Sequence, residues 1–287
     1  MKKIFIGLMG LMGRVLPLSI ILGLWSCDKI EEGEYTVYDG AKVTWSTAAA
    51  SLTPVQRVYV EKFTGPRCSN CPLADATLSA IHDERVVMVS INHPTGQGMP
   101  YPGQPDMRTD GGTVWDKWFG INAIPAAYIN RDLSRQYLGD MSNIVGDINQ
   151  ALTVQPVIAL EASAYGGLEE VDVVIELQFV KDYTQPLTVT VALVEDSLVY
   201  RQMLPDNSID TNYVHNHMLR KVATSFWGAD VDASGTAGEA LMGRVDFFVD
   251  SDVNLEKSYV VVFLSDKATR KVLNCAQCNI TFEDEEK

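Results

Sequence analysis

Cys68-Ser69-Asn70-Cys71 stands between a β-rich stretch and a helical one, and this placement limits the fold more than any other feature of the chain. Val55 to Phe63 (VQRVYVEKF) reads as a strand. Thr64-Gly65-Pro66-Arg67 turns tightly into the CxxC, and Leu73 to His82 has helical character. A thiol at a helix amino terminus is acidified, because unpaired N–H groups and the helix dipole stabilise its thiolate. Cys68 is therefore the expected nucleophile and Cys71 its resolving partner, with Arg67 adding a cation beside them. Pro72 falls in the first helical turn, where a missing N–H costs least.

Arg85 to Asn92 (RVVMVSIN) is a continuous apolar run suited to a buried central strand. Thr113 to Gly120 and Met141 to Leu152 read as helices, with Ile124-Pro125 directly before a strand-like Ala126 to Asn130. An Ile-Pro at that place, downstream of a CxxC helix, resembles the cis-proline loop of thioredoxin-like proteins. The resemblance implies that Pro125 packs against the dithiol and offers backbone for pairing with an extended substrate. It also implies a buried acid facing the second cysteine from the preceding strand. The matching stretch is Glu61-Lys62-Phe63, and alternation puts only one of Glu61 and Lys62 on that face. Glu61 is the candidate. His93 to Gly112 holds four prolines and five glycines in twenty residues, a loop long enough to wall a site beside Cys68.

The wording of two segments, Phe63-Thr64-Gly65-Pro66-Arg67-Cys68-Ser69-Asn70-Cys71-Pro72 and Tyr213-Val214-His215-Asn216-His217-Met218-Leu219-Arg220, resembles the outer-membrane-protein-28 family of Bacteroidetes lipoproteins. That resemblance implies an outer-membrane lipoprotein facing the periplasm or the cell surface. It says little about chemistry.

The amino terminus fits such an address. Lys2, Lys3 and Arg14 precede the apolar stretch Val15 to Trp25, whose eleven residues would rise about 16 Å, against roughly 30 Å of bilayer hydrocarbon. This is the pattern of a secretory signal over residues 1–26. Leu24-Trp25-Ser26-Cys27 resembles a bacterial lipobox, implying that Cys27 is the acylated first residue of the mature chain. The alternative is an ordinary signal peptide beside a chance cysteine. Residues 27–54 are expected to be a flexible tether. The formal charge of −14 and the absence of a long basic run exclude nucleic acid as a partner, and attachment to a membrane must come from lipid rather than charge.

From Val157 onward the pattern changes to short, β-branched segments: Val157 to Tyr165, Val171 to Val180, Leu187 to Val194, Gly243 to Val249, Tyr259 to Leu264 and Lys271 to Phe282. Such a succession predicts an antiparallel sandwich. His215-x-His217 would place two imidazoles on one face of an extended segment, but no third zinc ligand lies nearby, so a structural pair is expected. Asp230-Val231-Asp232-Ala233-Ser234-Gly235 begins like a calcium loop, yet its twelfth position is Leu241; an acidic turn is the reading. Cys275-Ala276-Gln277-Cys278 is a second CxxC without a following helix, and it is read as a second disulfide across a bulge or as two separate thiols.

The expected architecture is an α/β thioredoxin-like domain over residues 55–155 and an all-β immunoglobulin-like sandwich over 156–287. No metal or cofactor is called for. Two functions compete. One is thiol–disulfide exchange at Cys68 and Cys71 with an unidentified protein or peptide substrate. The other is a non-enzymatic adhesin or receptor whose Cys68–Cys71 pair is a permanent staple.

Overall fold

The computed structural model describes residues 40–49, 51–167 and 169–282. The signal segment, Cys27 and the start of the tether lie outside them. Part of the remaining tether is ordered: Thr44–Thr47 forms strand β1, carrying β-branched and aromatic residues of the kind a half-buried strand favours. Trp45 packs on the neighbouring core and its indole N–H donates to the Asp230 carbonyl at 2.9 Å.

The first half runs β2 (Val58–Thr64), α1 (Cys71–Ser79), β3 (Val86–Asn92), α2 (Asp110–Phe119), β4 (Ala126–Ile129), β5 (Tyr137–Leu138) and α3 (Ile144–Ala151). β2 is buried along its whole length, and its alternation serves two layers. Val58 and Val60 pack against α1 and α3 with Ile144 and Ile148, whereas Tyr59 and Phe63 pack toward α2 with Trp115 and Phe119.

The second half contributes β6 (Ile158–Gly166), β7 (Glu170–Phe179), β8 (Leu187–Glu195), β9 (Leu198–Met203), β10 (Ile209–His215), β11 (Met218–Val222), β12 (Ala229–Asp230), β13 (Ala240–Phe248), β14 (Ser258–Asp266) and β15 (Val272–Phe282). β9 and β10 form a hairpin of their own. The other strands join those of the first half in a single mixed sheet of 13 strands, ordered β1-β13-β7-β6-β15-β14-β8-β11-β3-β2-β4-β5, with β12 on β8.

That sheet overturns the expected separate α/β thioredoxin-like domain followed by an immunoglobulin-like sandwich. β11 pairs in parallel with β3 at Met218 and Ser90, and antiparallel with β8, so it joins the two halves through one hydrogen-bonded ladder. The physical reason lies in β8 and β14, which are apolar on both faces and need two coverings. Val189, Val191, Leu193, Val260, Val262 and Leu264 pack against β6, β7 and β13. The alternate residues Ala192, Val194, Tyr259, Val261 and Phe263 pack against Tyr59, Val89 and Trp115 of the first half. In a flat sheet β14 and β2 would stand about 19 Å apart, four strand spacings. Tyr59 and Phe263 nevertheless stack with ring centroids 4.5 Å apart. The sheet therefore curls on itself, and one aromatic seam serves both halves.

Candidate functional site

Cys68 and Cys71 are joined as a disulfide, with Cα atoms 5.4 Å apart. Helix α1 begins at Cys71 behind the cap residue Asn70, so Cys71 holds the first helical position and Cys68 precedes the cap by two residues. Cys68 Sγ lies 3.6 Å from the carbonyl oxygen of Ile124, and the Ile124-Pro125 peptide is cis. The proline loop and the dithiol, 56 residues apart in sequence, thus meet at one point.

Both cysteines are 1% exposed, because two further segments close over them. The loop after β3 comes so near that a Cβ at Gly65 would stand 2.4 Å from the Gln97 carbonyl oxygen. Only glycine fits there. The Arg67 amide donates to that same carbonyl at 3.0 Å, and the Arg67 guanidinium bonds the Pro100 carbonyl while lying 5.1 Å from the Tyr101 ring. Arg67 is thereby held by the loop. On the other side, the Gln202 side chain of β9 donates from Nε2 to the Cys68 carbonyl at 2.8 Å and to the Gly65 carbonyl at 3.4 Å. The Met203 amide donates to the Pro66 carbonyl at 2.8 Å. Gln202 was not singled out in the sequence, since its β-rich surroundings carry no mark of a partner 134 residues away.

Strand register answers which of Glu61 and Lys62 faces the dithiol helix. Lys62 forms an ion pair with Asp75 of α1, and burial pushes its ammonium down to about 7. Asp75 also accepts a 2.8 Å hydrogen bond from the Tyr213 hydroxyl of β10. Glu61, the residue expected to support the dithiol, points into the opposite layer. There Arg131 grips its carboxylate and the Tyr59 hydroxyl donates to it at 3.0 Å. A cleft of about 420 Å³ opens behind α1, lined by Lys62, Asp75, Ser90, Tyr213, Asn216 and His217.

The remaining sequence candidates are placed apart. Cys275 and Cys278 are free thiols, so the second disulfide is not formed. Three residues along a strand put them on opposite faces, Cys275 in the aromatic seam and Cys278 toward the β6–β7 side. Burial raises both thiols, Cys278 to about 12. His215 ends β10, whereas His217 has a φ of 61° and turns to bond the Tyr259 hydroxyl at 2.7 Å through Nδ1. Among the described residues no His, Cys, Asp and Glu gather into a metal-binding group. In the acidic turn the Glu239 carboxylate accepts from the amides of Ser234 and Gly235 at 3.0 and 2.8 Å.

Comparison with known proteins bears on this arrangement. The profile of the outer membrane protein Omp28 family matches residues 113–283. HBP35 of Porphyromonas gingivalis is similar in fold, with a TM-score of 0.64 at 16% identity over 83% of this chain and 79% of that one. A domain of the outer membrane lipoprotein Omp28 from Porphyromonas gingivalis aligns over 45% of this chain and 92% of its own length, at 18% identity and a TM-score of 0.33. No curated protein sequence matches. A match that covers more than half of the chain is sufficient: the chain belongs to the outer membrane protein Omp28 family.

Proposed function

We propose that this outer-membrane-associated protein exchanges thiols and disulfides through Cys68 and Cys71. The observation that carries the reading is how little the cross-link can do for the fold. It spans a sequence separation of three. Its loop is already held by Cys68 N–H to Gly65 carbonyl and Cys71 N–H to Cys68 carbonyl bonds of 3.1 and 3.3 Å. Disulfide stabilisation grows with the length of chain closed, and a loop this short gains roughly 2 kcal/mol at most before those backbone bonds are counted. A pair that adds little as a staple, beside the Ile124-Pro125 loop and before a helix, has the placement of a redox couple.

In the reduced protein the Cys68 thiolate attacks one sulfur of a partner's disulfide, and the other sulfur leaves as a thiolate. Cys71, deprotonated, then attacks Cys68 Sγ. This re-forms the internal disulfide and releases the partner as a dithiol. A second partner carrying a dithiol returns the two electrons. Pro125 shapes the approach to Cys68. Family membership supports the outer-membrane setting, and the Leu24-Trp25-Ser26-Cys27 sequence supports attachment through lipid on Cys27.

The burial of both sulfurs favours a second reading, in which the pair is permanent and the protein binds rather than catalyses. The reduction potential of the couple decides between them. Exchange predicts a value above about −300 mV, and a value below it leaves only the staple.

A further inference from the structure

The hairpin β9–β10 is attached to the molecule differently at its neck and at its tip. At the neck, Ser197 and His217 both take left-handed backbone angles, φ 60° and 61°, which favour glycine. They are held there by bolts: Ser197 N–H to Asn216 Oδ1 at 2.9 Å, His217 N–H to Asp196 Oδ1 at 2.6 Å, and Asp196 N–H to the Lys257 carbonyl at 3.0 Å. Beyond the neck the two strands pair, among the described residues, only with each other. Most of β10 is exposed, and the apolar contact beneath the hairpin is a small cluster of Leu198, Tyr200, Met107 and Met218. A two-stranded hairpin with so little beneath it is marginal by itself. What holds it down is polar. β9 gives Gln202 Nε2 and the Met203 amide to the carbonyls of Gly65, Pro66 and Cys68. β10 gives the Tyr213 hydroxyl to Asp75 of the dithiol helix.

We infer that the β9–β10 hairpin is a hinged cover that must lift from the Cys68–Cys71 loop before any thiol can reach the disulfide, with Gln202 and Tyr213 as its two latches. This rests on the exchange reading for its purpose but not for its test. Each latch is a side chain that donates to the dithiol segment, one such residue on each strand. Breaking either therefore loosens one edge, while the Met203 amide bond, the neck and the strand pairing stay intact. The segment that lifts away uncovers the Gly65, Pro66 and Cys68 carbonyls, a row of acceptors that an extended partner segment can meet with its own amides.

The test measures how fast a small phosphine reduces the Cys68–Cys71 disulfide in the full chain, scored by alkylation and peptide mass mapping. Gln202→Glu keeps the side-chain shape but replaces the donor with an acceptor facing the carbonyls of Gly65, Cys68 and Met203. Tyr213→Phe removes only a hydroxyl. Each is expected to accelerate reduction by about tenfold, the factor for losing one such bond to a charged or buried partner. Amide exchange should quicken across 198–215 and not in β8 or β14. Should Gln202→Glu fail to fold, Tyr213→Phe carries the test alone. Equal reduction rates in wild type and folded variants would overturn the cover, whatever the potential of the couple. Faster reduction in the variants, together with a potential in the range of structural disulfides, would keep the cover and remove the exchange reading.

Discussion

Arg131 closes on the Glu61 carboxylate with Nε at 3.1 and 3.0 Å from its two oxygens and a terminal nitrogen at 2.5 Å, where neither residue reaches solvent. The guanidinium lies against two aromatic rings set edge-on to each other, 4.4 Å from the Trp115 centroid and 4.7 Å from that of Phe263. The pair joins β2 to the end of β4 inside the seam that both halves share, and it gives Glu61 a structural role away from the dithiol.

Glu61→Ala should destabilise the protein by about 3–5 kcal/mol, because it strands a buried guanidinium. Glu61→Met combined with Arg131→Met should cost much less than the sum of the two single changes. Urea denaturation of the four proteins gives the coupling. Additive losses would show that the pair is not energetically linked.

The shared seam also bears on dissection. Residues 53–155 alone would expose the edge of β3 and the rings of Tyr59 and Trp115, and residues 156–287 would expose Val194, Val261 and Phe263. Neither piece is expected to unfold cooperatively when expressed alone, whereas the two together should reassemble. The readout is calorimetry of each piece and of the mixture. A sharp transition in either isolated piece would contradict the account of the seam.

How much of this was legible depends on the range over which each signal acts. The strand before the CxxC, the helix after it and the Ile124-Pro125 loop are written locally, in β-branched runs and helix punctuation. So were most of the later strands. The curled sheet was not, because the β11–β3 ladder rests on a single register pair, Met218 with Ser90, far apart in sequence. Continuous apolar runs such as TVTVALV in β8 announce burial on both faces without naming what buries them. The choice between Glu61 and Lys62 turned on one residue of register, and Gln202 carries no signal until the hairpin is folded.

Acid should loosen the hairpin. His215 is buried with its Nε2 unpartnered, and burial with the nearby Lys62 charge pushes its pKa down from 6.5 to about 4. Between those values the unfolded chain binds a proton that the folded one does not, so stability falls as pH drops from about 6.5 toward 4 and is steady above that window. The full effect is on the order of 3 kcal/mol. His215→Gln should flatten the fall in melting temperature between pH 7 and pH 4.5. An unchanged slope would assign the acid sensitivity elsewhere.

The two thiols of β15 should be inert in the folded protein. With Cys278 at about 12, roughly one part in 10⁴ is thiolate at pH 8, and Cys275 is fully enclosed. Iodoacetamide under native conditions is expected to leave both unmodified for hours, and in urea both should react at once. Rapid native labelling of Cys275 would place it nearer the surface than the aromatic seam allows.

β15 pairs with β14 along Val272 to Asn279 and then with β6 over Ile280 to Phe282, so the last described strand is the clasp between the two groups of strands. A ribosome delivers these residues after both strands they pair with, at about 5–20 residues per second. Until they arrive, β14 and β6 each lack a neighbour and the aromatic seam lacks Cys275. The nascent chain consequently has no stopping point at which one half is finished. Closure of the curled sheet is timed by β15, however early the strands that precede it are made.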